Sequence, residues 1–230
     1  MAIAYDNASS NDGLAPTNTF SHTIGSGSDR LLVIIVASTA ATAAQHVVSA
    51  CTYNGVSATF AVGLTSDSEG LRISIYYLHE ASLPAAGSYN VSVTIGGSAN
   101  TLKVAAMSYT GVASSGAEAT NSSQSSPNIA AHSTNITSVT DDALIVDGFA
   151  AGYDGGGPVS PAAPQTERAD MGGNFRSGGA SDRFVTTAGS YAMEWDNPST
   201  WQLLVHGLAV FTAAGGAAPA TNNALFFSAF

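Results

Sequence analysis

Short stretches in which apolar and polar residues alternate recur along the chain and favour β-strands over helices. The clearest covers residues 89–95, where apolar residues take every second position and Asn90, Ser92 and Thr94 take the others. A period of two places alternate side chains on opposite faces of a sheet. Almost no segment sustains the 3.6-residue period of an amphipathic helix. We therefore predict an all-β protein with little helix.

The predicted strands are runs rich in β-branched and aromatic residues, bounded by Gly, Asn, Asp, Ser and Pro. They cover residues 3–6, 19–24, 30–38, 47–53, 58–62, 72–79, 88–95, 102–110, 129–139, 143–151, 184–187, 190–195 and 202–212. Residues 31–36 are apolar without alternation, which indicates a strand buried on both faces. Asn54 and Gly55 predict a type I′ hairpin turn. This pattern is typical of an antiparallel two-sheet sandwich of the jelly-roll kind.

The sequence contains an internal echo. Residues 86–89 and 188–191 are both Ala-Gly-Ser-Tyr, and the same offset aligns Tyr109 with Phe211; a second offset aligns Asp29 and its apolar run with Asp142. Two interpretations remain open: one sandwich over residues 1–213 with pseudo-repeated halves, or two small β-domains meeting near residues 114–127. We favour one sandwich, because each half alone would offer few strands to a core. Residues 153–183, rich in Gly and Pro, predict a long surface loop.

The chain is poor in charge, which limits its partners. Charged residues make up 10% of the total and the net charge is −10, with Lys103 the sole lysine. Direct binding to nucleic acid or to an anionic membrane is therefore not expected. The surface must consist largely of uncharged hydroxyl and amide groups, which cost less to bury than ions do. This composition suits a protein that packs against neighbours.

The sequence predicts neither a secretory signal nor a membrane span. The first residues lack a basic and then an apolar region, so we expect synthesis in a cytoplasm. The longest apolar run, residues 31–37, is far shorter than the ~20 residues of a membrane helix. Cys51 is the single cysteine, which excludes an internal disulfide, and its neighbours predict a buried apolar side chain.

Catalytic signals are weak. We find no nucleophile elbow, phosphate-binding loop or paired cysteines. Glu194 and Asp196 flank Trp195 and should project from one face of a strand, where they could serve as the two carboxylates of a glycosidase; a solvated strand gives the same pattern. The histidines lack the spacing of zinc ligands: His22, His46, His79, His132 and His206. We predict no catalytic residue, metal or cofactor.

Two further kinds of ligand, calcium and sugars, have candidate residues in the sequence. Acidic residues beside Gly or Asn in loops, namely Asp6, Asp141, Asp142 and Asp154, could offer oxygens to calcium, but solvated turns explain them better. A platform for sugar rings could form from aromatic residues, which core packing explains equally well: Tyr76, Tyr77, Tyr153, Trp195 and Trp201.

The C-terminal segment, residues 214–230, predicts a docking peptide. A spacer of Gly, Ala and Pro precedes Leu225, Phe226, Phe227 and Phe230. Burying each of these side chains is worth about 1.5 to 3 kcal/mol. We therefore expect these four residues to make assembly contacts, either by closing the chain's own sandwich or by strand addition to a neighbouring subunit.

Taken together, the leaderless start, the lysine-poor Ala/Gly/Ser/Thr composition, the short strands, the Asn54-Gly55 hairpin and the aromatic C-terminus resemble the β-sandwich and jelly-roll structural proteins of tailed bacteriophages. These are decoration, head-fibre and tail proteins. The resemblance implies a virion location, homo-oligomeric assembly with other virion proteins, and no enzymatic activity. The alternative is a carbohydrate-binding or host-recognition module; a glycan hydrolase or lyase comes third.

Overall fold

The computed structural model describes residues 2–13, 16–39, 43–66, 70–97, 101–152, 159–172 and 176–215. Strands dominate this part of the chain, and the described helices are a short α1 (Ala43–His46) and a 3₁₀ turn (Glu80–Ser82). The strands fall into two series, which we call the first half and the second half.

The first half consists of β1 (Ala4–Gly13), β2 (Thr17–Ile24), β3 (Leu31–Thr39), β4 (Val48–Tyr53), β5 (Val56–Ser57), β6 (Thr59–Ser66), β7 (Leu71–His79), β8 (Gly87–Ile95) and β9 (Thr101–Thr110). The second half consists of β10 (Ala119–Gln124), β11 (Ile129–Ser138), β12 (Ala143–Gly152), β13 (Ser160–Pro161), β14 (Thr166–Asp170), β15 (Arg176–Val185), β16 (Gly189–Trp201) and β17 (Leu203–Phe211).

The two halves share one strand order, apart from β5, which has no counterpart among the described strands of the second half. The first half has an inner sheet β1-β9-β3-β7-β6 and an outer sheet β2-β8-β4-β5; the second has an inner sheet β10-β17-β12-β15-β14 and an outer sheet β11-β16-β13. The pairings between these strands are antiparallel. The predicted all-β antiparallel sandwich with little helix is confirmed, with four sheets in place of two.

The four sheets form four layers, with the two inner sheets packed face to face. Leu31, Val33 and Ile35 of β3 belong to the apolar cluster between the inner sheets, whereas the intervening residues face the outer sheet of the first half. Both faces of β3 are therefore buried, which explains its unbroken apolar run. The prediction that residues 31–36 form a central buried strand is confirmed.

The hydrogen-bond registers of the halves match at the offsets of the sequence echo. Leu31 pairs with Tyr109 in the first half, and Leu144 pairs with Phe211 in the second. Asp29 and Asp142, which precede these strands, both have positive φ, at 56° and 53°. Residues can therefore be matched between halves position by position. The division into one or two domains stays a prediction.

The predicted hairpin is confirmed. Asn54 and Gly55 have φ of 50° and 77°, as a type I′ turn requires, and they join β4 to β5 where Tyr53 pairs with Val56.

The predicted long loop at residues 153–183 is wrong for the residues that the structure describes. They include β13, β14 and most of β15, and β15 lies inside its sheet between β12 and β14. A Cβ on Gly179 would lie 2.6 Å from the Phe149 ring, and one on Gly178 would lie 3.1 Å from the Cβ of Ala37. Close layer packing thus requires small residues at these two positions of β15.

The polar stretch at residues 114–127, where the two-domain interpretation places its boundary, contains a strand. Residues 119–124 form β10, an edge strand that pairs along its length with β17. Its polar side chains suit an edge position that is only half-buried.

Candidate functional site

The four predicted assembly residues, Leu225, Phe226, Phe227 and Phe230, lie outside the described residues, so their docking stays a prediction. The structure does describe where their segment leaves the sandwich. Ala213 forms a bridge with Val112, and the Ala214 N–H donates to the Gly111 carbonyl at 2.8 Å. The C-terminal tail, residues 216–230, therefore starts beside the connection between the halves.

The outer face of the first half is a ladder of hydroxyl groups. Side chains of β2 and β8 bond across the strands: Thr17 to Thr94 at 3.1 Å, Thr19 to Ser92 at 3.0 Å and Ser21 to Ser88 at 2.7 Å. In these strands hydroxyl residues alternate with apolar residues. The apolar side chains point into the core, and the hydroxyl side chains point outward, so the outer face is uncharged. It is a polar surface with a low desolvation cost.

The outer face of the second half is similar in part. Ser133, Asn135 and Thr137 of β11 are exposed there. Glu194 and Asp196 of β16 are half-buried and share this face, since Met193 and Trp195 point into the core. The prediction that the two carboxylates project from one face is confirmed.

Of the two explanations for the aromatic residues, core packing holds for the two tryptophans. Trp195 and Trp201 are fully buried, with ring centroids 4.7 Å and 5.6 Å from that of Phe149. Tyr76 and Tyr77 are half-buried and pack against neighbouring rings, while Tyr153 lies outside the described residues. The two tryptophans therefore serve the core and cannot stack on a sugar.

A buried polar network, which sequence reasoning missed, is centred on Asp147 of β12. Its carboxylate accepts hydrogen bonds from Trp195 Nε1 at 3.0 Å, from His206 Nε2 at 2.8 Å, and from the backbone and hydroxyl of Ser181. Gln165 adds an amide contact to Ser181 at 2.9 Å. Asp147, Ser181 and His206 are fully buried, so these bonds replace the water that a carboxylate needs.

The network continues toward the surface. His206 Nδ1 lies 2.9 Å from the Thr134 hydroxyl, which bonds to Ser123, and Ser123 in turn lies 2.8 Å from His132 Nε2. Burial lowers the pKa of His132 to about 4, and the nearby His206 adds to this shift. His132 is therefore neutral near pH 7. The chain of bonds runs from the core to the half-buried pair Ser123 and His132.

The first half builds the same fold without this network. The positions that match Asp147, His206 and Trp195 in register are Ile34, Val104 and Val93, which join one continuous apolar cluster. In the second half the network separates two smaller apolar clusters. The polar residues are thus a feature added to the fold.

The order hydroxyl, imidazole, carboxylate in Thr134, His206 and Asp147 is that of an activated nucleophile. However, Thr134 is only 4% exposed, and the other two are fully buried. Two cavities in the described part of the chain lie elsewhere: one is lined by residues 2–3, 142–143 and 184–186, and the other by residues between 113 and 215 that do not include the network. We interpret the network as a structural polar core.

Two of the candidate calcium ligands, Asp6 and Asp141, accept hydrogen bonds from the protein. Asp6 accepts bonds from the Gly25 N–H at 2.9 Å and the Ser108 hydroxyl at 2.7 Å, and Asp141 accepts one from the Ala188 N–H at 2.7 Å. Asp154 lies outside the described residues. Among the residues that the structure describes, no group of three or more His, Cys, Asp or Glu is placed to hold a metal ion.

Cys51 is buried, and burial raises the pKa of its thiol to about 12, so the apolar interpretation is confirmed. In the described part of the chain, no helix is both long enough and apolar enough to cross a bilayer.

No protein-family model and no curated protein matches this sequence. One solved structure, described as the crystal structure of the STIV MCP, aligns with 90% of this chain and 96% of that chain at 10% identity and a TM-score of 0.27. A likeness at this level carries no inference about fold or function.

Proposed function

We propose that this protein is a non-enzymatic structural component of a bacteriophage virion. It assembles with further copies and with other virion proteins on the capsid or tail, through its sheet faces and its C-terminal tail. Leu225, Phe226, Phe227 and Phe230 are the assembly contacts of that tail.

The observation that carries this proposal is the hydroxyl ladder on the outer face of the first half. The hydroxyl groups of Thr17, Thr19 and Ser21 form hydrogen bonds with side chains of β8, so part of their hydrogen-bonding capacity is satisfied within the face itself. Covering such a face with another protein costs less than covering ions would. With charged residues at only 10% of the sequence, this chain is suited to close packing on a particle.

The non-enzymatic part of the proposal is supported by how the polar groups are arranged. Thr134, His206 and Asp147 have the order of a catalytic relay but are enclosed between two sheets. Glu194 and Asp196 lie on an open sheet face, whereas two catalytic carboxylates act from opposite sides of a substrate.

Glycan recognition is the alternative function, for example in binding a host surface. It would require aromatic rings to stack on sugars, and Trp195 and Trp201 are committed to the core. Without these two rings, the outer faces offer hydroxyl groups, amides and the carboxylates of Glu194 and Asp196 for such binding, which favours assembly over glycan recognition.

A charge placed on the hydroxyl ladder tests the proposal. Thr19→Lys adds an ion at the centre of the face and should reduce oligomer or particle formation at least tenfold, as measured by native mass spectrometry and analytical ultracentrifugation. Ser126→Lys, in the exposed turn between β10 and β11, is the matched control and should assemble normally. If Thr19→Lys assembles as well as the unmodified chain, the ladder is not an assembly surface.

A further inference from the structure

A pocket of about 170 Å³ opens at one end of the second half. It lies where β12 and β15 meet the N-terminal segment, and Asp142 at its rim is its charged residue. Phe184 is 44% exposed there. Its lining is otherwise largely apolar: Ala2, Ile3, Ala143, Phe184, Val185 and Thr186.

In the register-matched corner of the first half, an ion pair occupies the corresponding positions. Arg30 and Glu80 match Ala143 and Val185, as the pairs Leu31–His79 and Leu144–Phe184 show. The Arg30 guanidinium donates to the Glu80 carboxylate at 2.6 Å and 2.8 Å. Two long charged side chains are thus replaced by two short apolar ones, which accounts for the open apolar volume.

The pocket has the size and character of a receptor for one phenyl ring. An apolar protein cavity of about 150 Å³ is large enough to bind benzene. The Phe184 ring forms one wall, and the Tyr109 ring lies 6.4 Å behind it at 70°. Aromatic rings pack favourably in such edge-to-face arrangements. A phenylalanine side chain would therefore fill the volume and cover Phe184.

The last described residues before the C-terminal tail lie close to this pocket. The Ala214 N–H donates to the Gly111 carbonyl at 2.8 Å. Gly111, at a positive φ of 73°, packs so closely on the N-terminal segment that a Cβ there would lie 2.5 Å from the Ala2 carbonyl oxygen. Ala2 itself lines the pocket. One backbone segment thus separates the start of the tail from the pocket wall.

The length and composition of the tail also allow it to reach this pocket. Nine residues, 216–224, separate Gly215 from Leu225, and no residue after 215 is charged. Such a spacer reaches about 30 Å when extended and about 15 to 18 Å on average. A short flexible link gives an effective concentration in the millimolar range, well above that of free chains in dilute solution. The chain's own tail therefore has the advantage over a neighbour's.

We propose that in the free protein this pocket holds a phenylalanine from the tail of the same chain, Phe226, Phe227 or Phe230. The inference rests on the proposed function, in which the tail is an assembly contact, and it names the surface that receives it. During assembly the tail exchanges to the same pocket on a neighbouring copy, which preserves its contacts.

Photo-crosslinking of the full-length chain tests this proposal. p-Benzoylphenylalanine replaces Phe226, Phe227 or Phe230 in turn, and equal amounts of ¹⁴N and ¹⁵N chains are mixed at low concentration before irradiation. At least one of the three should crosslink to residues 2–3 or 184–186, within chains of a single label. Crosslinks spread over other surfaces, or mainly between unlike labels, would overturn the proposal.

A matched variant fills the pocket with the ion pair that the first half has at the same positions. The double substitution Ala143→Arg with Val185→Glu should reduce crosslinking at least tenfold, while Val56→Arg, on exposed β5, should leave it unchanged. Circular dichroism verifies that each variant is folded. If the double variant is misfolded, the positions of the crosslinks in the unmodified chain still show whether the tail occupies the pocket. A correct crosslink in a chain that never oligomerises would contradict the proposed function and leave the pocket assignment standing.

Discussion

The Asp147 carboxylate and the imidazole of His206 lie 2.8 Å apart in the buried core of the second half, where the register-matched residues of the first half are Ile34 and Val104. The carboxylate also accepts bonds from Trp195 and Ser181, so one residue organises contacts from three other strands. The same fold thus has an apolar core in the first half and a polar network in the core of the second half.

Asp147→Asn should lower the free energy of unfolding by about 3 kcal/mol, because the amide places its own N–H donors among Ser181, Trp195 and His206 and leaves buried groups unsatisfied. Asp196→Asn, on the outer face of the second half, should change it by less than about 0.5 kcal/mol. Urea unfolding followed by tryptophan fluorescence measures both. Equal effects of the two substitutions would contradict the importance of the network.

The free energy of unfolding should fall as the pH decreases from about 6.5 toward 4. Burial lowers the pKa of His22 and of His132 to about 4, whereas an unfolded histidine titrates near 6.5. Between these values the unfolded chain binds protons that the folded chain does not, so acid favours unfolding. Above about pH 6.5 this contribution is constant. Thermal melting across pH 4.5 to 7.5 measures it.

His132→Asn should make that pH dependence shallower without disrupting the fold. The matching residue of the first half is Asn18, which accepts a bond from Asn11 at 2.7 Å where His132 contacts Ser123. An asparagine therefore fits the site and does not titrate. An unchanged pH profile in this variant would show that His132 does not contribute to the acid response.

Tyr109→Phe should lower the free energy of unfolding by about 1.5 to 3 kcal/mol. The Tyr109 hydroxyl donates to Asp182 at 2.9 Å between the two inner sheets, and the other carboxylate oxygen of Asp182 is buried without a hydrogen-bond partner. Tyr5→Phe is the control, since it keeps the ring beneath the Arg168 guanidinium at 3.7 Å. A larger loss for Tyr5→Phe than for Tyr109→Phe would contradict this account of the interface.

The non-enzymatic proposal predicts no saturable turnover on a panel of bacterial surface polysaccharides. The same null result is expected for Glu194→Gln and Asp196→Asn, since both carboxylates lie on an open sheet face. Reducing-end release is the measurement. Cleavage by the unmodified chain that disappears in Glu194→Gln would establish a glycosidase.

Local patterns predicted much of the fold. The apolar run at residues 31–36, the alternation at 89–95 and the Asn54-Gly55 turn each correspond to the expected element. Most of strand β15 was not predicted, because the Gly and Pro content of residues 153–183 indicated a loop; in β15 itself, Gly179 packs against the rings of Phe149 and Trp195, and Gly178 packs against Ala37. Whether such glycines belong to a strand or to a loop depends on the distance between the sheet layers, and the local sequence pattern does not specify that distance.

The network could be predicted only in part. Asp147 and His206 are 59 positions apart, so no spacing motif connects them. The available signal was that each interrupts an otherwise apolar strand, since a buried polar residue needs a partner. Pairing the two interruptions requires the register of β12 and β17, which long-range pairing determines.

The mass of the native assembly formed with and without the tail tests the assembly role most directly. The full-length chain should form a defined oligomer or join a particle, and a chain lacking residues 223–230 should remain folded but assemble at least tenfold less. A full-length chain with Phe226, Phe227 and Phe230 changed to Ser keeps the length of the tail and should behave like the deletion. Native mass spectrometry and thermal melting, measured side by side, give the answer: loss of assembly in both variants is the predicted result, and unchanged assembly with unchanged stability would contradict the account.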